Sequence, residues 1–206
     1  MENSNSITAH GTIAGDLVYS HTILGEPFYT STLLVPRLSG TIDQIPVTIP
    51  GKLLALTPID NGTKCMLSGQ VRSYNKVVDG SGRLMVTLFA QSLEESQNSA
   101  TANDVSLTGT LCKPPIYRST PFGREICDIM LAVNRGFGKS DYIPCIAWGR
   151  NAKYASSFRV GDKMRITGRL QSREYQKLNE NGEYMTRIAY EVSASTVDCI
   201  KDAVAV

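Results

Sequence analysis

Histidine is scarce in this chain of 206 residues, and both copies, His10 and His21, lie near its start. Five cysteines, at 65, 112, 127, 145 and 199, form no C-x-x-C pair and are odd in number. Neither a zinc site nor a disulfide framework is therefore expected, and the cysteines read as reduced small hydrophobes. No metal and no cofactor are expected. The sequence has no nucleophile elbow and no phosphate loop, and Gly136-Phe137-Gly138 is too short to cradle a phosphate. Catalysis is not expected. No apolar run is long enough to span a bilayer, and Met1-Glu2-Asn3-Ser4-Asn5 lacks the charged and apolar regions of a signal peptide. No membrane association and a cytoplasmic, nucleoid-associated location are the resulting expectations.

What is present is an ordinary apolar content of 42% and a net charge of +2 that conceals an asymmetry. Residues 1 to 100 hold six Lys/Arg against eight Asp/Glu, whereas Val105 to Lys177 hold 13 against five. A localised basic excess is the electrostatic footprint of a nucleic-acid binder, and equally that of an ordinary solvated face.

Strand signals recur along the chain. Ile7 to Ile13, Phe28 to Val35, Ile45 to Ile49, Lys64 to Val71 and Leu84 to Gln91 are separated by Gly- and Pro-containing turns. Residues 94–104 are polar and without periodicity, which predicts a linker. The second half then repeats the first. Gly11-Thr12-Ile13 returns as Gly109-Thr110-Leu111, Arg37 as Arg135, Ile45-Pro46 as Ile143-Pro144 and Gly51 as Gly149, all at an offset of 98. With single insertions the repeat continues through Gly69 and Gly168, Ser73 and Ser172, and Met85 and Met185. Two copies of one unit follow. Ala152, Ala155 and Ser156 at helical spacing predict a short helix after the third strand. An all-β chain of two tandem OB-folds is expected, each a five-stranded Greek-key barrel with a short helix between strands 3 and 4. The domains read as 1–93, a linker at 94–104, 105–200, and a short tail at 201–206.

Within the second unit, residues 127–149 read as a hairpin whose alternation places Tyr142, Pro144, Ile146 and Trp148 on one face. Aromatic rings among cations suit a polymer with flat bases and a charged backbone. Asp128 to Arg135, Ile143 to Arg150, Val160 to Arg173 and Thr186 to Val192 resemble core signatures of the bacterial single-stranded DNA-binding protein family, and the resemblance spans nearly all of residues 105–197. It implies single-stranded DNA binding in replication, recombination or repair. It also implies base stacking at four positions, which fall on Phe137, Tyr142, Trp148 and Tyr175. Arg135, Lys139, Arg150, Lys153, Arg169, Arg173 and Lys177 are the matching candidates for phosphate contact.

A lone aromatic at a strand end is ordinarily core. Trp148's face partner Tyr142 and the adjacent Gly149 favour stacking instead. Tyr175 has the alternative of an exposed cross-strand pair, and Phe137 sits on a loop between two glycines. At the repeat offset the hairpin positions become Ser39, Gln44 and Pro50, so the first unit is expected to be degenerate in binding aromatics and to serve structure, dimerisation or weak backbone contact. Family members usually assemble four barrels, which implies a homodimer here. The family's acidic recruitment tail is not expected beyond Lys201, although replication or repair proteins remain possible partners. The alternative reading is a module like primosomal PriB, or a phage-type replication accessory, acting chiefly through protein contacts.

Overall fold

A computed structural model describes residues 4–78, 81–96, 102–136, 138–178 and 182–200 of the chain. The first unit contains β1 (Asn5–Ile23), β2 (Glu26–Pro36), β3 (Ile42–Pro50), α1 (Gly51–Leu56), β4 (Lys64–Val78) and β5 (Ser81–Glu95). In the second are β6 (Asn103–Leu111), β7 (Ile116–Ser119), β8 (Glu125–Arg135), β9 (Lys139–Trp148), α2 (Arg150–Ala155), β10 (Lys163–Leu178) and β11 (Tyr184–Cys199). Hydrogen bonding runs β2-β3-β5-β4-β1 and β6-β10-β11-β9-β8, and each ring closes through an additional pairing, β1 with β2 and β6 with β8. Both are five-stranded barrels of the expected OB-fold, with a short helix between the third and fourth strands.

The two units differ in one strand. β1 runs on continuously through two register shifts, whereas its counterpart is divided into β6 and β7 at Cys112-Lys113-Pro114-Pro115. Consecutive prolines offer no N–H to the ladder. β7 is thus a sixth short strand, not anticipated from the sequence, lying against β8 at the sheet's edge. At the polar segment, Glu94 and Glu95 pair with Met66 and Cys65, and Asn103 and Asp104 with Ala9 and Thr8. These four residues belong to ladders, and residues 97–101 lie outside the described residues.

Alternation builds the core in both barrels. Leu33, Val35, Ile45, Val47 and Ile49 point inward in the first, and Leu131, Val133, Ile143, Cys145 and Ala147 in the second. Gly69 and Gly168 each sit at a bulge. A Cβ at either would collide with a facing carbonyl oxygen, that of Phe89 or Ser193. One buried apolar cluster extends through both units.

The units are joined by an antiparallel ladder between β1 and β6, making one eleven-stranded sheet. In it Ile7 faces Val105, its own repeat-mate, while Asn5 faces Leu107 and Ala9 faces Asn103. The repeat is therefore expressed as a pseudo-twofold axis through the Ile7–Val105 pair. Two mirrored hydrogen-bond sets flank that axis. Asp43 in the first unit accepts from the Ser172 N–H at 2.8 Å, and Asp141 in the second accepts from the Ser73 N–H at 2.8 Å. Among the described residues no helix is long and apolar enough to cross a membrane.

Candidate nucleic-acid interface

β8 and β9 pair in register from Ile126↔Trp148 to Arg135↔Lys139. Gly149 follows at φ 53°, in the left-handed region that glycine tolerates, and the turn there leaves Trp148 on the rim of the sheet. Trp148 is 37% exposed and Tyr142 51%. The face between them is closed, because Ile146, outward by alternation, is only 3% exposed. The Arg118–Asp128 ion pair, 2.7 Å, stands on the neighbouring strand, with Asp128 opposite Ile146. The hairpin is therefore two separated platforms, six residues or about 20 Å apart.

Trp148 lines a groove of about 760 Å³. Arg124, Arg169 and Arg173 of the second unit share its walls with Arg37 and Gln44 of the first. Arg37 donates from Nε to Asp43 Oδ2 at 2.7 Å and from Nη2 to the Ser172 carbonyl at 3.3 Å. The carboxylate bond holds its guanidinium pKa above the ordinary value. Arg173 pairs with the buried Glu191 at 3.1 Å, and its guanidinium lies 5.9 Å from the Tyr175 ring centroid. Tyr175 is 36% exposed. Among the described residues no carboxylate pairs with Arg124 or Arg169, which leaves two uncompensated cations beside the indole. A half-exposed aromatic flanked by such cations can accept a base on its face and a phosphate at its edge.

The sequence did not point to Arg37, Gln44 or Arg124. Arg37 was detectable as the repeat-mate of Arg135. That it serves the opposite unit's groove follows only from the seam.

Tyr142 lies at the seam between the units. Its backbone N–H donates to the Ser73 hydroxyl of β4 at 2.8 Å, and the N–H of its repeat-mate Gln44 makes the mirrored donation to Ser172 Oγ at 2.9 Å. Arg135 lies at the same seam, 3.6 Å from Asp141, with Lys139 opposite it in register. Arg150 is exposed at the start of α2, and Lys177 is exposed on β10. Lys153 Nζ contacts Glu125 Oε1 at 3.1 Å. The Tyr117 hydroxyl and Lys153 together hold the Glu125 carboxyl below its usual range. Phe137 lies outside the described residues.

No group of metal-ligating side chains occurs among the described residues. Burial pushes the Cys65 and Cys127 thiols up to about 11, and that of Cys145 further.

Comparison with known proteins places the sequence likeness in the second unit. The model of the single-strand binding protein family matches residues 102–200. Single-stranded DNA-binding protein 2 of Listeria innocua is 33% identical over 96 residues, covering 43% of this chain and 60% of its own length. The chain therefore spans only about three-fifths of that relative. Single-stranded DNA-binding protein 3 of Clostridium acetobutylicum is 34% identical over 96 residues, 43% of this chain and 67% of that protein. Over both units, the crystal structure of wild-type single-stranded DNA binding protein from Thermus aquaticus superposes with a TM-score of 0.77 at 21% identity, covering 98% of this chain and 95% of that one. The last likeness concerns the fold.

Proposed function

The chain belongs to the single-strand binding protein family, and we propose that it binds single-stranded DNA without catalysis, in replication, recombination or repair, chiefly through its second barrel. The observation that carries this reading is the half-exposed Trp148 on the wall of a groove that also holds Arg124, Arg169 and Arg173, in the unit where the family match falls.

In this reading bases stack on Trp148, Tyr175 and Tyr142, with Phe137, between β8 and β9 in the sequence, as a fourth platform. Each such contact contributes ~1–3 kcal/mol. Phosphates are taken by Arg169, Arg173 and Arg124, with Arg150, Lys139, Lys153 and Lys177 as an outer set and Arg135 at the seam. Arg37 acts differently. It is the more enclosed of the two paired guanidiniums, 22% exposed against 46% for Arg173, and is held bidentate by the fully buried Asp43, so it shapes the groove wall and adds little net attraction. The first barrel thereby serves the second as a wall.

Two chains are proposed to associate into a four-barrel homodimer, within the cytoplasm and on the nucleoid, where replication or repair proteins would be further partners. A solution mass of one chain by light scattering would overturn the dimer. The binding test is titration with oligo(dT) at two salt concentrations, read by tryptophan fluorescence, since Trp148 is the only tryptophan. Quenching that weakens with salt is expected. An unchanged signal at low salt would refute stacking at Trp148.

A further inference from the structure

Behind the groove that holds Trp148 lies a carboxylate. Glu191 of β11 and Gln171 of β10 face each other in register, next to the core residues Val192 and Leu170, so alternation points both toward the outer face of the barrel. They are nonetheless nearly as enclosed as the core, Glu191 7% exposed and Gln171 4%. Gln171 Nε2 donates to Glu191 Oε1 at 3.0 Å. Arg173 donates to the same oxygen from Nε at 3.1 Å and to Oε2 from Nη2 at 3.5 Å. On the other side Arg169 Nη2 donates to Gln171 Oε1 at 3.4 Å. Two of the arginines that line the groove are thus joined through one buried amide to one buried carboxylate.

A carboxylate is an unfavourable group behind a groove that receives a polyanion. Burial costs it hydration, and its charge repels phosphate. The barrel does not require it. In the first unit the register pair corresponding to Gln171↔Glu191 is Arg72↔Thr87, and Thr87 fills its position with a hydroxyl that donates to the Pro46 carbonyl at 3.0 Å. The counterpart of Arg173 there is Tyr74, one position beyond the Ser73 and Ser172 repeat pair. Carboxylate and arginine therefore occur together in the second unit and are absent together from the corresponding positions of the first. What the carboxylate adds is order. A free arginine side chain gives up many rotamers when it binds a phosphate, whereas one held at Nε and Nη2 has given them up already. Arg173 keeps 46% of its side chain exposed, and its Nη1 donors are not claimed by Glu191.

We propose that Glu191 is a positioning residue for single-strand binding, acting directly on Arg173 and through Gln171 on Arg169 to set both guanidinium groups in the groove before a phosphate arrives. The inference rests on the function proposed above and deepens it, since Glu191 acts only through the arginines. Its effect on affinity is opposite in sign to that of its charge. Removing a negative charge near a polyanion strengthens attraction by simple electrostatics, whereas removing the clamp moves the ordering cost of Arg173 into the binding step. Salt screens the first effect and leaves the second.

The test is Glu191→Gln in the full chain, which keeps the shape and the Oε1 acceptor and removes the charge. Affinity for labelled oligo(dT) is read by anisotropy at about 0.5 M salt, where the Debye length is roughly 4 Å. It is expected to fall about two- to twelvefold, the ordering cost of one rotamer-rich side chain. In an Arg173→Gln background the same substitution is expected to lose most of that effect. Gln171→Met keeps the buried volume and removes the amide, and should also weaken binding. It carries the test if thermal melts show that Glu191→Gln does not fold. Affinity equal to or tighter than wild type at that salt in the folded variants, or an undiminished loss in the Arg173→Gln background, would overturn this inference alone. Failure of the wild-type chain to bind oligo(dT) even at low salt would overturn the proposed function itself.

Discussion

The carboxylate of Asp43 accepts a 2.8 Å hydrogen bond from the backbone N–H of Ser172, 129 positions later in the chain. Asp43 is fully buried and also carries the Arg37 ion pair, so one side chain ties the wall of the first barrel to the main chain of the second. Its mirror, Asp141 with Ser73, does the same in reverse. The groove beside Trp148 depends on the first of these ties, because Arg37, Gln44, Ser172 and Arg173 all line it.

Removing that tie should therefore cost both stability and shape. Asp43→Ala leaves Arg37 without its carboxylate and the Ser172 N–H without its acceptor. Breaking a fully buried pair costs about 3–5 kcal/mol, and the partial exposure of Arg37 reduces that to about 2–3 kcal/mol. Urea unfolding measures it, and an unchanged midpoint would show that the tie is incidental.

Gly168→Ala should destabilise the second barrel by about 1–3 kcal/mol as overpacking against the Ser193 carbonyl, and Gly69→Ala the first by a similar amount against Phe89. Gly82→Ala, whose Cβ would meet nothing within 4 Å, is the control. Thermal melts of the three variants decide the matter.

Trp148→Ala should weaken oligo(dT) binding by ~1–3 kcal/mol, a loss of about five- to 150-fold, measured by anisotropy since the fluorophore is gone. Arg169→Ala should instead make the salt slope shallower by about 0.7. A Trp148 variant with wild-type affinity would favour a protein-contact module.

Glu125 offers a pH-dependent test. Its folded pKa is depressed by Tyr117 and Lys153, so its contribution is present above the ordinary carboxylate value of 4.5 and lost as pH falls through the lower folded value. Glu125→Gln should flatten the acid limb of the stability curve slightly. The same change releases Lys153, so DNA binding should tighten and its salt slope steepen. A steeper slope with an unchanged acid limb would separate the two effects, and no change in either would show the pair to be inert.

Thiol chemistry reports on the packed interior. Cys65, Cys127 and Cys145 are buried with raised pKa values, so at pH 8 a disulfide-exchange reagent should modify them only on unfolding. Cys112 and Cys199 are half-buried and should react first. Rapid reaction of all five cysteines in the folded state would contradict the packing.

Much of this protein was legible without coordinates. The offset of 98 linking Gly11 to Gly109 and Arg37 to Arg135 established two copies of one barrel, because strand alternation and turn glycines are local properties that survive in a linear string. The same locality separated Ile143, Cys145 and Ala147 from Tyr142 and Trp148. What no local rule contains is how the copies meet. Pairing of Ile7 with Val105 set the pseudo-twofold axis, and that axis decided that Arg37 serves the opposite barrel's groove, that the Tyr142 N–H bonds to the Ser73 hydroxyl, and that the Ser73 N–H bonds to the Asp141 carboxylate facing Arg135. Those relationships join residues as many as 135 positions apart. They arise from ladder register and buried charge pairing across the seam, which depend on where two surfaces come to rest. The strands were therefore determined by the sequence read locally, and the two faces they present were decided by the tertiary structure.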